Sequence, residues 1–168
     1  MSALRLVLIS QVLLACAAFA QDASTPQNAV AYCTYQDGNQ LTVRYSDAAV
    51  GHKHEVPNGK VWSPGDVPML LFTEVPLTVA NVELAIGAYS MYVIPDRDKW
   101  TLIVNKSVAA GAAYDEKLDL VRVPMATGKL PDAQDPPRVS FAHIAPKMCS
   151  LRVDVGKTGA WADVFKEK

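Results

Sequence analysis

The sequence contains few of the residues that most metal and nucleophile chemistry requires. It has three histidines in 168 residues, without a second spaced histidine pair, which argues against a dedicated metal centre. A surplus of one charge sign is also lacking, because 16 Lys and Arg stand against 17 Asp and Glu with no block of like charge. Nucleic acids and anionic membrane surfaces are therefore not expected as partners, and no cofactor is expected.

Long hydrophobic runs are absent beyond the first twenty residues. Arg5 precedes an apolar stretch at residues 6–18, and Ala18-Phe19-Ala20 forms a small-x-small cleavage site before Gln21. This pattern predicts a secretory signal peptide over residues 1–20. The apolar run is too short to span a bilayer well, and no other segment resembles a transmembrane helix.

The same leader offers a second interpretation. Leu13-Leu14-Ala15-Cys16 resembles a bacterial lipoprotein box with Cys16 as the acylated residue, although Leu14 stands where a small residue is usual. Soluble export to the periplasm or the medium is the favoured expectation, and a lipid anchor at Cys16 is the alternative. Residues 21–168 are expected to form a single domain.

The clearest structural pattern is a central hairpin. Residues 89–94 and 100–105 are rich in aromatic and β-branched side chains, which favour strands. Charged residues and Pro95 fill the turn between them. Alternation places Ser90 and Tyr92 on one face and Met91 and Val93 on the other. Because both faces are partly apolar, these strands are expected to be central in the sheet.

The remaining chain predicts more short strands separated by turns. We expect them at residues 30–35, 40–45, 82–86, 120–125, 138–144, 149–155 and 160–165, with another inside 69–79. Prolines predict a loop at residues 126–137, glycines predict a turn at 156–159, and residues 109–118 suit a short helix or an ordered loop. The predicted fold is all-β: an antiparallel β-sandwich or jelly-roll-like domain with at most one short helix.

Cys33 and Cys149 are predicted to form a disulfide. They are the two cysteines that remain once the leader is removed, and export would place them in an oxidising compartment. The bond would tie the first hairpin to the C-terminal strands. The alternative is two separately buried thiols.

A histidine-containing loop is the candidate metal site. His52 and His54 would point to one side of an extended segment, and His143 would supply a third imidazole. With Glu55, these residues suggest a metal-assisted hydrolase. The alternative is a solvated loop that carries its histidines by chance.

Loop aromatics and carboxylates give the candidate ligand-binding residues, which are Trp62, Asp66, Tyr114 and Asp115. The three tryptophans, Trp62, Trp100 and Trp161, are expected either to line a sugar-binding platform or to pack in the core or at its rim. The carboxylates are expected either to bind a ligand or to be ordinary surface charges. Ser90 does not lie in a G-x-S-x-G elbow, so a serine nucleophile is not expected.

Several stretches from Gly59 onward resemble the bacterial domain-of-unknown-function family 2911. Its GKVW box is similar to residues 59–62, and its AGTYSLYTIP strand is similar to residues 87–95. Its EWTLIINK strand resembles residues 100–106, its YDEKxDLGRVPM segment resembles residues 114–125, and a GKT resembles residues 156–158. The resemblance covers most of residues 21–168. It implies an exported, mainly β domain with no known activity.

One departure from the family pattern falls directly after the GKVW box. The family usually continues RTGANEAT, whereas Val67 and Pro68 stand here where Asn and Glu are expected. If those polar side chains bind something in relatives, this chain has lost or changed that role.

The favoured function is therefore an exported, non-catalytic β domain that binds a small molecule, a glycan or another envelope protein. The hydrolase that uses His52, His54 and Glu55 is one alternative. A purely structural or assembly role is the other.

Overall fold

The computed structural model describes residues 28–47, 56–97, 99–109 and 112–167. The described residues form nine strands: β1 (Asn28–Thr34), β2 (Gln40–Ser46), β3 (Met69–Thr73), β4 (Leu77–Val79), β5 (Val82–Leu84), β6 (Gly87–Ile94), β7 (Trp100–Asn105), β8 (Asp119–Ala145) and β9 (Met148–Lys166). The helical structure in these ranges is limited to two short 3-10 turns, Pro64–Asp66 and Glu116–Leu118. None of it is long enough to cross a membrane.

The strands pair antiparallel in the order β1-β2-β3-β6-β7-β8-β9-β4-β5. The predicted antiparallel all-β class is confirmed. Hydrogen bonding runs through one open sheet, so a sandwich of two separate sheets is not established. The long strand β8 joins the two halves, since residues 119–125 pair with β7 and residues 126–145 pair with β9. One buried apolar cluster draws side chains from all nine strands, so the sheet folds over a single core.

The central hairpin forms where the sequence predicts it, as β6 and β7. Met91 pairs with Val104, and Val93 pairs with Leu102. All four side chains lie in the core. Pro95 ends β6, since a proline has no N–H to donate to the ladder.

Two expectations for the C-terminal third are wrong. Residues 126–137 and 156–159 are not a loop and a turn but parts of β8 and β9, paired for example through Gly128 and Gly159. The prolines fall where the register shifts, between Lys129 and Arg138. A proline is tolerated at such an irregularity because the local ladder does not need its missing N–H.

The disulfide prediction is confirmed. Cys33 on β1 and Cys149 on β9 are bonded, with an S–S distance of 2.06 Å and Cα atoms 6.4 Å apart. Both are buried in the core. The bond therefore connects the first strand of the chain with the last one across the folded sheet.

The second face of the sheet carries a continuous row of side chains, which we call the outer row. Ser90 on β6 lies between Leu70 on β3 and Asn105 on β7, and Asn105 pairs with Asp119 on β8. Directly paired residues share a face, so these four side chains lie opposite the core. Ser90 and Asn105 are nevertheless almost inaccessible, each 1% exposed. Chain segments therefore cover this face, and the candidate site lies beneath them.

Candidate functional site

Trp62, Asp66 and Tyr114 line one cavity of about 270 Å³ on this face. We call it the outer cavity. Tyr92 and Pro68 contribute to its wall. Three of the four residues predicted as ligand-binding thus come together, although they belong to two segments separated by about fifty positions of the sequence. The prediction that they bind a ligand is not tested by their convergence.

Trp62 is fixed to the sheet through its backbone. Its N–H donates to the Val93 carbonyl over 2.8 Å, and the Val93 N–H donates back to the Trp62 carbonyl over 2.8 Å. The indole is half-buried and touches the main core. Its position on the cavity wall is therefore set by a two-bond bridge rather than by a free loop.

The turn after Trp62 places Asp66. Gly65 and Asp66 both have left-handed backbones, with φ of +68° and +55°. Gly65 also lies against β2, where an added Cβ would come 2.5 Å from the Ser46 Oγ. Only glycine satisfies both conditions without a shift of its neighbours. The exposed Asp66 carboxylate is the acidic group that this turn contributes to the cavity wall.

Tyr114 is held by a network of charge-assisted hydrogen bonds. Its hydroxyl donates to Asp119 Oδ2 over 2.6 Å and accepts from Arg122 Nη2 over 2.8 Å. Arg122 Nε also donates to Asp119 Oδ2 over 2.8 Å, and Asn105 Nδ2 donates to Asp119 Oδ1 over 2.8 Å. The ring packs edge-on against Tyr92 with centroids 4.9 Å apart. Tyr114 is therefore preorganised as a rigid wall of the cavity.

This environment raises the pKa of Tyr114 to about 12. Burial is the largest cause, and the hydrogen bond to Asp119 and its negative charge act in the same direction. The phenol therefore stays neutral at physiological pH. Its one hydroxyl proton is already donated to Asp119, so towards a further group the oxygen can act only as an acceptor.

A second cavity of about 190 Å³ adjoins the outer cavity and shares Pro68, Tyr92 and Ala112 with it. We call it the apolar cavity. Its wall is completed by the following side chains: Val67, Leu70, Ser90, Ser107, Val108 and Ala109. The two residues that depart from the family pattern, Val67 and Pro68, thus belong to this wall.

Asp115 has a different role from its neighbour Tyr114. Its carboxylate accepts a hydrogen bond from the Lys117 N–H over 3.0 Å and caps the 3-10 turn Glu116–Leu118. Its carbonyl accepts from Asn105 Nδ2 over 2.9 Å. Asp115 is absent from the walls of both cavities among the residues described there. Its visible function is to hold the turn that presents Tyr114.

The predicted metal site lies largely outside the described residues, because His52, His54 and Glu55 fall there. His143 is an exposed residue on β8, paired with Cys149. Within the described ranges no group of three His, Cys, Asp or Glu side chains is arranged to hold a metal. The metal hypothesis thus stays a prediction.

The three tryptophans do not share a surface. Trp100 is 4% exposed in the core, and Trp161 lies beside Arg152 on β9, whose guanidinium is 5.9 Å from the ring centroid. Trp62 alone reaches the outer cavity. A platform built from all three rings is therefore not present.

A larger cavity of about 460 Å³ is lined by Arg97, Lys129 and Lys157 together with residues of β8 and β9. These cations are exposed, and its wall contains no aromatic ring among the described residues. This cavity therefore offers a basic surface without the aromatic walls of the outer cavity.

Sequence reasoning missed Ser90, Tyr92, Asp119 and Arg122 as site residues. A usable signal existed for the first two, since strand alternation places both on the face opposite the core. Asp119 and Arg122 lie inside the segment that resembles the family's YDEK stretch. Nothing in the linear sequence showed that Asp119 and Arg122 would bond to the Tyr114 hydroxyl.

The fold and site together define a small all-β domain with paired cavities on the outer face of its sheet. The profile of a family described as a protein of unknown function (DUF2911) matches residues 25–162. The chain therefore belongs to this family, as its motifs suggested. No curated protein and no solved structure matches the chain significantly.

Proposed function

We propose that this protein is an exported, non-catalytic domain that binds a small molecule in the outer cavity. The observation that carries the proposal is the convergence of Trp62, Asp66 and Tyr114 with Tyr92 on one concave surface. A few polar groups among aromatic walls are typical of ligand sites. Tyr114 is held by Asp119 and Arg122 before any ligand arrives, which lowers the ordering cost of binding.

The dimensions suit a small molecule. The outer cavity has about 270 Å³ and the adjoining apolar cavity about 190 Å³, and clefts that hold small ligands have volumes on the order of a few hundred Å³. A binding role is also supported by the chemistry of the wall. Tyr114 is neutral, and Asp66 is the single carboxylate among the residues that line the outer cavity.

Export is supported by two independent features. Residues 1–20 have the pattern of a secretory leader, and Cys33 and Cys149 form a buried disulfide. Disulfides persist mainly in oxidising compartments. We propose the periplasm or the medium as the location, with a mature chain that begins at Gln21.

Binding is tested by NMR titration of the protein purified from cells that express the full chain. The probes are neutral monocyclic compounds: phenol, benzamide and methyl glucoside. At least one probe should shift the Trp62 indole and the Tyr92 and Tyr114 amides together, and Tyr114→Ala should weaken its binding. Lys157→Ala, at the exposed basic cavity, is the matched control and should change nothing. If none of the three probes moves these signals, the proposed site is wrong.

Export is tested by mass analysis of the N-terminus of the same protein. A chain that starts at Gln21 supports soluble export. A diacylglyceryl group on Cys16 would replace soluble export with a lipid anchor, and an intact leader in the cytoplasm would contradict export altogether.

A further inference from the structure

The Ser90 hydroxyl contributes no hydrogen bond to the described part of the fold. It lies in the middle of β6, is 1% exposed, and its hydroxyl has no hydrogen-bond partner among the described residues. Most buried polar side chains in native proteins are hydrogen-bonded, so an unpaired one calls for a specific explanation. Alanine would fill nearly the same space without leaving an unpaired donor and acceptor.

Ser90 lies at the wall of a cavity and is not part of the core cluster. Ser90 belongs to the wall of the apolar cavity, together with Val67, Leu70 and Val108. The hydroxyl oxygen is itself inaccessible, and among the described residues with an unpaired buried side-chain oxygen Ser90 alone belongs to this wall. A serine side chain has three staggered rotamers, so a rotation about one bond moves its oxygen without a backbone change.

Few polar side chains line the apolar cavity. Ser90 pairs across the sheet with Asn105, and the Asn105 side chain accepts from the Ser107 N–H over 2.9 Å. Ser107 also lines the cavity, so two serines flank the Asn105 position. The other wall residues are apolar apart from the Tyr92 hydroxyl, and no charged side chain belongs to this wall in the described ranges.

The volume limits the size of what can enter. The apolar cavity has about 190 Å³, and an engineered apolar cavity of about 150 Å³ holds one benzene molecule. There is thus room for a single six-membered ring with one or two substituents. A larger ligand would have to extend into the outer cavity past Tyr92 and Pro68, which both cavities share.

We propose that the apolar cavity binds a neutral, single-ring ligand whose one hydrogen-bonding group pairs with the Ser90 hydroxyl. This inference rests on the proposed function and extends it from the outer cavity to the adjoining one, which shares Pro68, Tyr92 and Ala112 with it. The ring packs against Val67, Leu70 and Val108, and the polar substituent points towards Ser90. Charged ligands are disfavoured, because no opposite charge in this wall would offset their desolvation.

The test compares phenol with toluene, which has the same ring but no hydroxyl. Affinities are measured by NMR titration or calorimetry on the full exported protein, for the wild type and for Ser90→Ala. The wild type should bind phenol more tightly than toluene. Ser90→Ala should lower the affinity for phenol about two- to tenfold, the typical effect of one neutral hydrogen bond, and leave the affinity for toluene unchanged.

Two further variants serve as controls. Ser150→Ala removes a hydroxyl from another buried serine outside this cavity and should alter neither affinity. Val67→Asn makes an exposed wall position polar and should weaken both probes. Ser90→Ala should also unfold at the same or a higher denaturant concentration, because it removes an unpaired buried hydroxyl.

The outcomes separate this inference from the proposed function. Equal affinities for phenol and toluene in the wild type, or a Ser90→Ala variant that binds phenol as before, would overturn the role of Ser90. If phenol and toluene both fail while methyl glucoside shifts Trp62 and Tyr114, this inference is wrong and the proposed function stands. If no probe binds at all, both are wrong.

Discussion

The disulfide between Cys33 and Cys149 should supply a large part of the stability of the fold. The bond closes a loop with a sequence separation of 116 residues. In the chain-entropy treatment such a loop destabilises the unfolded state by about 5 kcal/mol. Domains of this size are stable by about 5–15 kcal/mol in total. The double variant Cys33→Ala/Cys149→Ala is therefore expected to be marginal or unfolded at 37 °C.

The measurement is a urea melt of the wild type and the double variant under non-reducing conditions. With a slope of about 2 kcal/mol per M, a loss of 5 kcal/mol corresponds to a midpoint that is lower by about 2.5 M. Adding a reductant should lower the wild-type midpoint towards that of the variant. The variant itself should not respond to the reductant, which makes it the internal control.

A difference in midpoint below about 0.5 M would refute this reasoning, since it corresponds to roughly 1 kcal/mol at that slope. It would mean that the two chain ends stay close in the unfolded state or that β1 contributes little to the cooperative core. The buried position of both cysteines argues against the second possibility, because Cys33 is 4% and Cys149 0% exposed.

The remaining predictions concern one core residue, one titrating group and one turn. Trp100→Ala should lower the unfolding free energy by about 3–5 kcal/mol in denaturant melts, because the ring is buried; a loss below about 1 kcal/mol would contradict its core position. Tyr114 favours folding through its raised pKa, so this contribution is complete below pH 10 and is lost as the pH rises through about 12. In an ultraviolet titration, Tyr114→Phe should lose tyrosinate signal near pH 12, and a loss near the ordinary tyrosine pKa of about 10 would contradict the shift. Gly65→Ala should cost about 1–3 kcal/mol from its positive φ and more from the contact with Ser46. The matched control Gly38→Ala, with φ of +88° and open space around it, should cost less in the same melts.

The pattern of residues along the chain was sufficient to predict the strands and turns that the properties of neighbouring residues favour. The strands of the central hairpin were predictable because aromatic and β-branched residues alternate on either side of a charged turn at Pro95. The disulfide followed from the count of cysteines outside the predicted leader. The long strands β8 and β9 were not predictable in the same way. Their prolines and glycines predict breaks, and only pairing between the two strands makes these residues part of a ladder with register shifts.

The candidate site shows the same division between local and tertiary information. Trp62, Asp66 and Tyr114 were identifiable by residue type, but their convergence depends on the order of strands in the sheet. Asp115 has the same residue type as a ligand-binding carboxylate, yet its carboxylate caps a turn. Ser90 is instructive for the opposite reason, since a serine at a buried strand position contradicts the local preference for an apolar residue. A polar residue at such a position is most informative where it also lines a cavity, as Ser90 does.

The two faces of β6 should respond differently to substitution. Met91 and Val93 face the core and are nearly inaccessible, at 2% and 0% exposed, so truncating them removes packing that the whole sheet shares. Ser90 and Tyr92 face the segments that cover the outer row, and those segments hold little of the buried cluster. Removing the Ser90 hydroxyl should therefore alter ligand binding with a small effect on the denaturation midpoint, whereas truncating Tyr92, which is 8% exposed, also removes buried packing. A Ser90→Ala variant whose midpoint falls as far as that of Met91→Ala would show that the outer face is a second core, and the cavity beneath its covering segments would then be a packing defect rather than a site.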